Sequence, residues 1–458
     1  MSKTTDMTKG RTLRHIIIFA LPLLMSNIFQ ELYFIVDSVI VGRIIGVNAF
    51  AAIGAAGFYY WLVLGLVFGV AHGFGTVFAQ RFGAKDFSGL KRSIAQSIML
   101  TAIFSAAVTA ACLVLLRPML VMVNTPADII DGAYSYLLWV FAAIPGMFAY
   151  NVSSAVLRAL GNSRTPLISV VISSVVNIAL DLMFVGLLGM GVEGVAIATA
   201  IATFCAFLFC IMRLRGIDAA RIGRQDFKDG RAEALALIRL GGPLALRNTI
   251  IEAGGLLVQY VINGYGTLYV AGIAAAYKYL GIMNIVGFSL DGAVSVFVAQ
   301  NYGAAKPDRI RSGMRTALRI AIISSVAAAS LTAMFGREMV MLFVSGDAAE
   351  IAAVAEIGYR NLLAISICLP SLYLLLIYRS ALQGMGNSSI PMLSGFIEMA
   401  MRVLSVFVLP VFIGVWGVYF SVGIGWVAAA ILLVISYYAV FRKRFGSAAG
   451  CELYHERL

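Results

Sequence analysis

The chain has 458 residues, of which 61% are hydrophobic and only 12% are charged, and its mean hydropathy is +0.93. These values exclude a water-soluble globular protein and are typical of a polytopic helical membrane protein. The formal net charge of +12 does not indicate nucleic-acid binding, because the basic residues fall in short segments between apolar runs.

Twelve apolar runs of spanning length follow one another, and such continuous runs also exclude an outer-membrane barrel. They lie near residues 15–41, 50–78, 93–116, 133–157, 165–188, 191–213, 239–262, 268–298, 312–335, 357–382, 390–411 and 414–440. The first run lacks a small-residue cleavage site close behind it, so it is interpreted as a retained span. We therefore expect a multi-pass protein without a separate soluble domain.

The distribution of lysine and arginine predicts the orientation of these spans. Almost all loop lysines and arginines lie on the side that holds both termini, and only Arg43, Arg117 and Arg337 lie on the other side. Cytoplasmic loops carry the excess of basic residues. Both termini are therefore predicted to be cytoplasmic, in a protein of the plasma (inner) membrane.

The second half of the chain repeats the first. Residues 79–84 (AQRFGA) return as residues 299–304 (AQNYGA), and residues 157–166 (LRALGNSRTP) return as residues 382–391 (LQGMGNSSIP). Each half holds six spans, so both halves start in the cytoplasm and run parallel. A substrate cavity between two such bundles is typical of alternating-access transporters, although duplication alone also makes a stable bundle.

The predicted fold is therefore an all-α polytopic membrane protein with twelve transmembrane helices in two pseudo-symmetric six-helix bundles. The predicted divisions are an N-terminal bundle (1–213), a cytoplasmic linker (214–238), a C-terminal bundle (239–441) and a cytoplasmic tail (442–458).

The repeated motifs carry a resemblance to a known family. Twelve spans, with Gly-Asn-Ser-x-x-Pro opening the fifth and eleventh and Ala-Gln-x-x-Gly-Ala after the second and eighth, resemble the MATE (multidrug and toxic compound extrusion) transporters over nearly the whole chain. The prokaryotic DinF-like branch matches best, because Pro22 precedes Asp37 by fifteen residues and Asn177 precedes Asp181 by four. In that branch such residues form a cation site with a threonine of the sixth helix, where Thr199 stands.

The expected depth of these four residues in the membrane groups them independently of the family resemblance. Counted from the outer ends of their spans, Asp37, Asn177, Asp181 and Thr199 lie about 8 to 18 Å deep at 1.5 Å per residue. Two carboxylates, an amide oxygen and a hydroxyl suit Na⁺, and the same two acids are also able to share a proton. Buried acids that only fix helix packing are the alternative.

The repeat places apolar Val258 and Val406 opposite the two acids, so the cation cluster is expected in the N-terminal bundle alone. Glu31 and Glu252 are equivalent under the repeat and lie near mid-membrane. We assign both, with Gln30 and Tyr33, to a substrate cavity that attracts organic cations; packing across helices is the alternative for the glutamates.

The remaining charged residues are predicted to be structural. Arg402 lies four residues after Glu398, which favours an ion pair within one helix. Arg247 and Arg379 lie near cytoplasmic ends and are expected to extend their charged groups into water. Pro22 removes a backbone hydrogen bond and is a hinge candidate; in the resembling branch a bend of the first helix belongs to the proposed cycle, whereas a static kink is the alternative.

Together these features predict a secondary antiporter, not an enzyme, that exports amphipathic, often cationic organic compounds in exchange for H⁺ or Na⁺ by alternating access. No cofactor, no metal beyond Na⁺ and no nucleic-acid partner is expected, and the chain is predicted to be a monomer in contact with membrane lipid. The alternative is a flippase for lipids or lipid-linked oligosaccharides of the same superfamily, which is expected to line its cavity with arginines.

Overall fold

The computed structural model describes residues 4–122, 125–343 and 347–445, and this part of the chain forms thirteen α-helices and no β-strand. The helices are α1 Thr12–Ile40, α2 Val47–Gly83, α3 Phe87–Met122, α4 Ile130–Ala142, α5 Ile144–Ala159, α6 Arg164–Asp181, α7 Val192–Arg215, α8 Arg231–Asn263, α9 Thr267–Gly303, α10 Pro307–Met341, α11 Ala348–Gly384, α12 Ser389–Ile413 and α13 Trp416–Phe445. From residue 446 onward the predicted tail lies outside the described residues.

Within the described ranges, eleven of these helices are long and apolar enough to span a membrane, and the pair α4 and α5 makes the twelfth span. This confirms the predicted all-α, twelve-span architecture. The fourth span differs from the others because α4 and α5 meet at an angle of 45°. Pro145, in the first turn of α5, has no N–H to donate to the preceding turn, so the helix is interrupted there.

The repeated Gly-Asn motif has the same geometry in both halves. Gly161 and Gly386 adopt positive φ angles of 77° and 76°, a conformation that side chains with a Cβ disfavour. The asparagine after each glycine accepts a hydrogen bond from the backbone N–H three residues later, at 3.0 Å in the first half and 3.1 Å in the second. The motif therefore ends one helix and caps the next.

The described chain divides into two compact units. The first unit contains residues 4–6 and Leu21–Ala245, and the second contains Met7–Ala20 and residues 246–445. Helices α1 and α8 thus contribute to both units. The boundaries inferred from the sequence at residues 213, 238 and 441 stay a prediction, and α8 begins at Arg231, within the stretch assigned to the linker.

In the first unit, two π-helical turns lie at the ends of α1 and α6. One comprises Val41–Ile45 and the other Leu182–Leu187, and they pack against each other and against α7. Buried Val41, Val185 and Val195 form part of an apolar cluster at this contact. The cluster holds together the ends of α1 and α6, the helices that carry Asp37 and Asp181.

Candidate functional site

Side chains from α1, α6 and α7 meet in the first unit. The Thr199 hydroxyl, on α7, lies 3.0 Å from the Tyr33 hydroxyl of α1 and accepts a hydrogen bond of 3.3 Å from Asn177 Nδ2 of α6. Asp181 lies one helical turn after Asn177, and its carboxyl group interacts with that of Asp37. The structure thus brings together all four residues predicted from the sequence, and it adds Tyr33 to them.

Several oxygen atoms of this cluster have no hydrogen-bond partner among the described residues. They are Asp37 Oδ1, Asn177 Oδ1 and both carboxylate oxygens of Asp181. Asn177 is 1% exposed and Asp181 is fully buried. No lysine or arginine in the described ranges forms an ion pair with either acid. Two neighbouring buried carboxylates repel each other when both are ionised, and a proton or a small cation between them removes that repulsion.

A cavity of about 130 Å³ adjoins this cluster within the first unit. Asp37 and Thr199 line it together with a group of aromatic side chains, which are Tyr33, Phe34, Phe50, Tyr60, Trp61 and Tyr136. Its volume is below the roughly 300 to 1,000 Å³ of most small-molecule sites, so it is too small to enclose a whole drug-sized molecule. Aromatic faces attract organic cations.

Tyr60, Trp61 and Tyr136 were not among the site residues predicted from the sequence. The first two belong to an aromatic run, Phe58–Trp61, that was visible in the sequence. Their ring centroids lie 5.9 Å apart, and Phe34 of α1 packs against both, at 6.4 Å from Tyr60 and 5.6 Å from Trp61. These contacts build the aromatic wall of the cavity from two helices, α1 and α2.

The four residues assigned to a substrate cavity occupy different surroundings. Tyr33 lines the cavity described above, whereas Glu31 and Gln30 are half-buried on α1 and do not line it. Glu252 lies half-buried in the second unit, where it interacts with Arg402 and Glu398. A cavity role for Glu31, Gln30 and Glu252 stays a prediction.

Helix α1 continues without interruption through Pro22, and the Ser26 hydroxyl donates a 2.9 Å hydrogen bond to the Pro22 carbonyl. The boundary between the two units falls at Ala20 and Leu21, next to this proline. The hinge function of Pro22 stays a prediction.

The second unit has an apolar core where the repeat places the counterparts of the two acids. Val258 is 3% exposed and Val406 is 1% exposed, and both pack with Tyr419 in one cluster. The positions equivalent to the two acids are therefore apolar in that unit. Within the described residues, no group of three or more His, Cys, Asp or Glu side chains is placed to hold a metal ion.

The arginines of the second unit differ in part from the prediction. Arg402 does pair with Glu398 within α12, at 3.1 Å. The expectation that Arg247 and Arg379 reach water was wrong, because both are 6% exposed. Arg379 instead forms a buried ion pair with Glu398, at 2.8 Å across two helices, and the desolvation of both groups makes this pairing necessary.

Comparison with known proteins places this chain among transporters. The MatE family model matches residues 22–183 and 243–411. Probable multidrug resistance protein YoeA of Bacillus subtilis is 27% identical over 350 residues, which cover 75% of this chain and 76% of the relative. A MATE protein solved in complex with MaL6 has a TM-score of 0.90 at 20% identity, with 96% of this chain and 99% of that chain covered.

A second solved structure comes from Pyrococcus furiosus. It is a transporter of the MOP superfamily for which reverse polarity of the binding pocket is said to suggest a different function. Its TM-score is also 0.90 at 20% identity, and the match covers 96% of this chain and 98% of that chain. At this identity, the likeness to both solved structures shows the fold alone.

Proposed function

We propose that this chain is an antiporter. It belongs to the MATE family and is thus a multi-pass multidrug efflux transporter. Such a transporter is not an enzyme and needs no cofactor. In this proposal it exports amphipathic, often cationic organic compounds across the plasma (inner) membrane in exchange for H⁺ or Na⁺. It works as a monomer with both termini in the cytoplasm. The observation that carries the proposal is the buried acid pair Asp37 and Asp181, with its unpartnered oxygens, beside an aromatic cavity.

The position of Asp37 gives a physical reason for exchange. This residue interacts with Asp181 and also lines the aromatic cavity, so one carboxylate serves both the coupling ion and the substrate. A proton or Na⁺ at the acid pair reduces the negative charge that attracts a cationic substrate. Binding of the ion therefore weakens binding of the substrate, and this competition is the requirement for antiport.

The ion-bound protein and the substrate-bound protein then favour different conformations. A ligand shifts a conformational equilibrium only through its different affinity for the two states. In the outward-open state the coupling ion displaces the substrate, and in the inward-open state the substrate displaces the ion. Pro22 is proposed as the point at which α1 bends between these states.

The experiment compares Asp37→Asn with wild type in energised vesicles loaded with tetraphenylphosphonium. We expect coupled efflux of this cation to be lost, because the amide neither ionises nor binds a cation as the carboxylate does. Asp128→Asn is the matched control, since Asp128 is an exposed acid of the same unit. Wild-type efflux from the Asp37→Asn protein contradicts the proposal.

A flippase for lipids or lipid-linked oligosaccharides is the second candidate, and one observation favours it. Arg247, Arg379 and Arg402 lie inside the second unit, and arginines are suited to a phosphate or pyrophosphate group. Transfer of a fluorescent anionic lipid between leaflets, without tetraphenylphosphonium efflux, favours this candidate.

A further inference from the structure

Three arginine side chains lie close together in the second unit, each from a different helix. Arg379 of α11 donates from Nη2 to Glu398 Oε2 at 2.8 Å, and Arg402 of α12 donates from Nη2 to Glu398 Oε1 at 3.1 Å. Both carboxylate oxygens of Glu398 are thus already used by two arginines. Arg247 of α8 is the third, and it lies close enough to Arg379 for the two charges to repel each other.

Arg247 lacks a carboxylate partner of its own. Its Nε and Nη2 atoms donate to the neutral Asn248 Oδ1 at 3.1 and 2.7 Å. Asp291 also lies near Arg247, but its Oδ1 accepts a hydrogen bond from the Ser380 hydroxyl. The cluster thus holds three guanidinium groups and three acids, because half-buried Glu252 acts on Arg402 and Glu398. Arg247 differs from the other two arginines in having no ion pair among the described residues, although Asp291 and Glu398 act on it through space.

Each of the three arginines also has a buried nitrogen without an acceptor among the described residues. These are Arg247 Nη1, Arg379 Nε and Arg402 Nε. A buried donor without an acceptor destabilises a fold, and the effect is largest for a charged group. The planar fork of a guanidinium group matches the oxygens of a carboxylate or a phosphate. The unused donors of three neighbouring guanidinium groups point to an anion.

The chain makes room for Arg247 at this place. A Cβ atom added to Gly395 would lie 2.5 Å from Arg247 Cγ, so the side-chain stem occupies the space that glycine leaves on α12. Gly395 comes three residues before Glu398, and the two positions therefore share one helix face. The arginine is held in a fixed position against the helix that carries the other charges.

We propose that the second unit contains an anion subsite, in which Arg247, together with Arg379 and Arg402, binds a carboxylate or phosphate group of the transported molecule. This proposal rests on the proposed export function and extends the substrate class from cations to zwitterions and anions. Glu398 holds Arg379 and Arg402 in place, and Arg247 is left without an ion pair of its own in the described part of the chain.

The test uses the purified full chain in detergent and three probes that differ only in the group at one end. Dansyl-glycine carries a carboxylate, dansyl-aminomethylphosphonate a phosphonate, and dansyl-glycinamide a neutral amide. For wild type we expect one or both anionic probes to bind and to raise the midpoint of thermal unfolding, with little effect of the amide. Whether the carboxylate or the phosphonate binds more tightly identifies the natural anionic group.

Arg247→Gln removes the guanidinium that has no ion pair within the described ranges, so no carboxylate there loses a hydrogen-bonded partner. We expect it to weaken binding of the anionic probe by about tenfold or more and to leave the amide probe unchanged. Arg247→Lys keeps the charge but loses the planar fork, so an intermediate loss is expected; it also serves if Arg247→Gln does not fold. Arg337→Gln, an exposed arginine of the same unit, is the matched control.

Equal effects of all three probes on wild type overturn the proposal, as does a loss in Arg247→Gln that is the same for anion and amide. This binding measurement needs no ion gradient. Failure of the antiport proposal, seen as unchanged tetraphenylphosphonium efflux in Asp37→Asn, is therefore distinguished from failure of the anion subsite.

Discussion

A Cβ atom added to Gly73 of α2 would lie 2.4 Å from the Cα of Gly241, and one added to Gly69 would lie 2.4 Å from the Cα of Ala245. Both contacts are within the first unit, between α2 and the first part of α8. Small residues four positions apart on each helix let the backbones approach this closely. Ordinary contact for a Cβ begins at 3.4 Å, so Gly73→Ala requires the two helices to separate by about 1 Å.

Such overpacking against backbone atoms costs about 1–3 kcal/mol of unfolding free energy, because no flexible side chain is able to move aside. We expect Gly73→Ala to lower the midpoint of thermal unfolding in detergent and the yield of folded protein. Gly54→Ala on the same helix is the control, since no neighbouring atom lies within 4 Å of its added Cβ. If Gly73→Ala unfolds at the same temperature as Gly54→Ala or above it, the close approach of α2 and α8 is refuted.

Two further predictions concern individual hydrogen bonds. Thr199→Val removes the hydroxyl that contacts Tyr33 and Asn177, so the affinity for the coupling ion should fall by about 2- to 10-fold. The measurement is the ion concentration that gives half-maximal efflux. Thr199→Ser keeps a hydroxyl and should stay near wild type. In the loop before α3, burial alone raises the pKa of Asp86, but the Gly89 N–H and the Ser88 hydroxyl lower it. The Arg81 guanidinium, 2.7 Å away, lowers it further, and the pKa lies below its ordinary value. The ionised form is therefore stabilised by folding, so Asp86→Asn should lower the stability of the protein above about pH 4. This difference should vanish as the pH falls through the lowered pKa of Asp86. Thermal unfolding midpoints of both proteins between about pH 3 and 7 check the prediction, and a difference that does not depend on pH contradicts it.

The architecture was largely predictable because continuous apolar runs mark each span directly. The same Gly-Asn sequence also produced the same turn in both halves, as a local motif should. The break between α4 and α5 was harder to predict from the sequence. Pro145 interrupts its span, whereas Pro370 lies within the unbroken helix α11. The same residue type thus has two outcomes that depend on the surrounding packing.

The candidate site shows a similar limit. Asn177 and Asp181 share a helix face by their spacing, and depth in the membrane was enough to group them with Asp37 and Thr199. The contact of Tyr33 with Thr199 depends on how two helices are rotated about their axes, which sequence spacing does not specify. Spacing within one helix was enough to predict the pair of Arg402 and Glu398 in α12. The ion pair between Arg379 and Glu398 joins two helices, and it was not predicted.

In the proposed mechanism, substrate efflux and ion entry are coupled at Asp37 and Asp181. The most direct measurement uses vesicles loaded with tetraphenylphosphonium and records H⁺ or Na⁺ entry while the substrate leaves. We predict that one of these ions enters with the wild-type protein in proportion to efflux, and that Asp37→Asn abolishes this entry. Efflux without entry of either ion, or coupled entry at the wild-type rate in Asp37→Asn, would contradict the account.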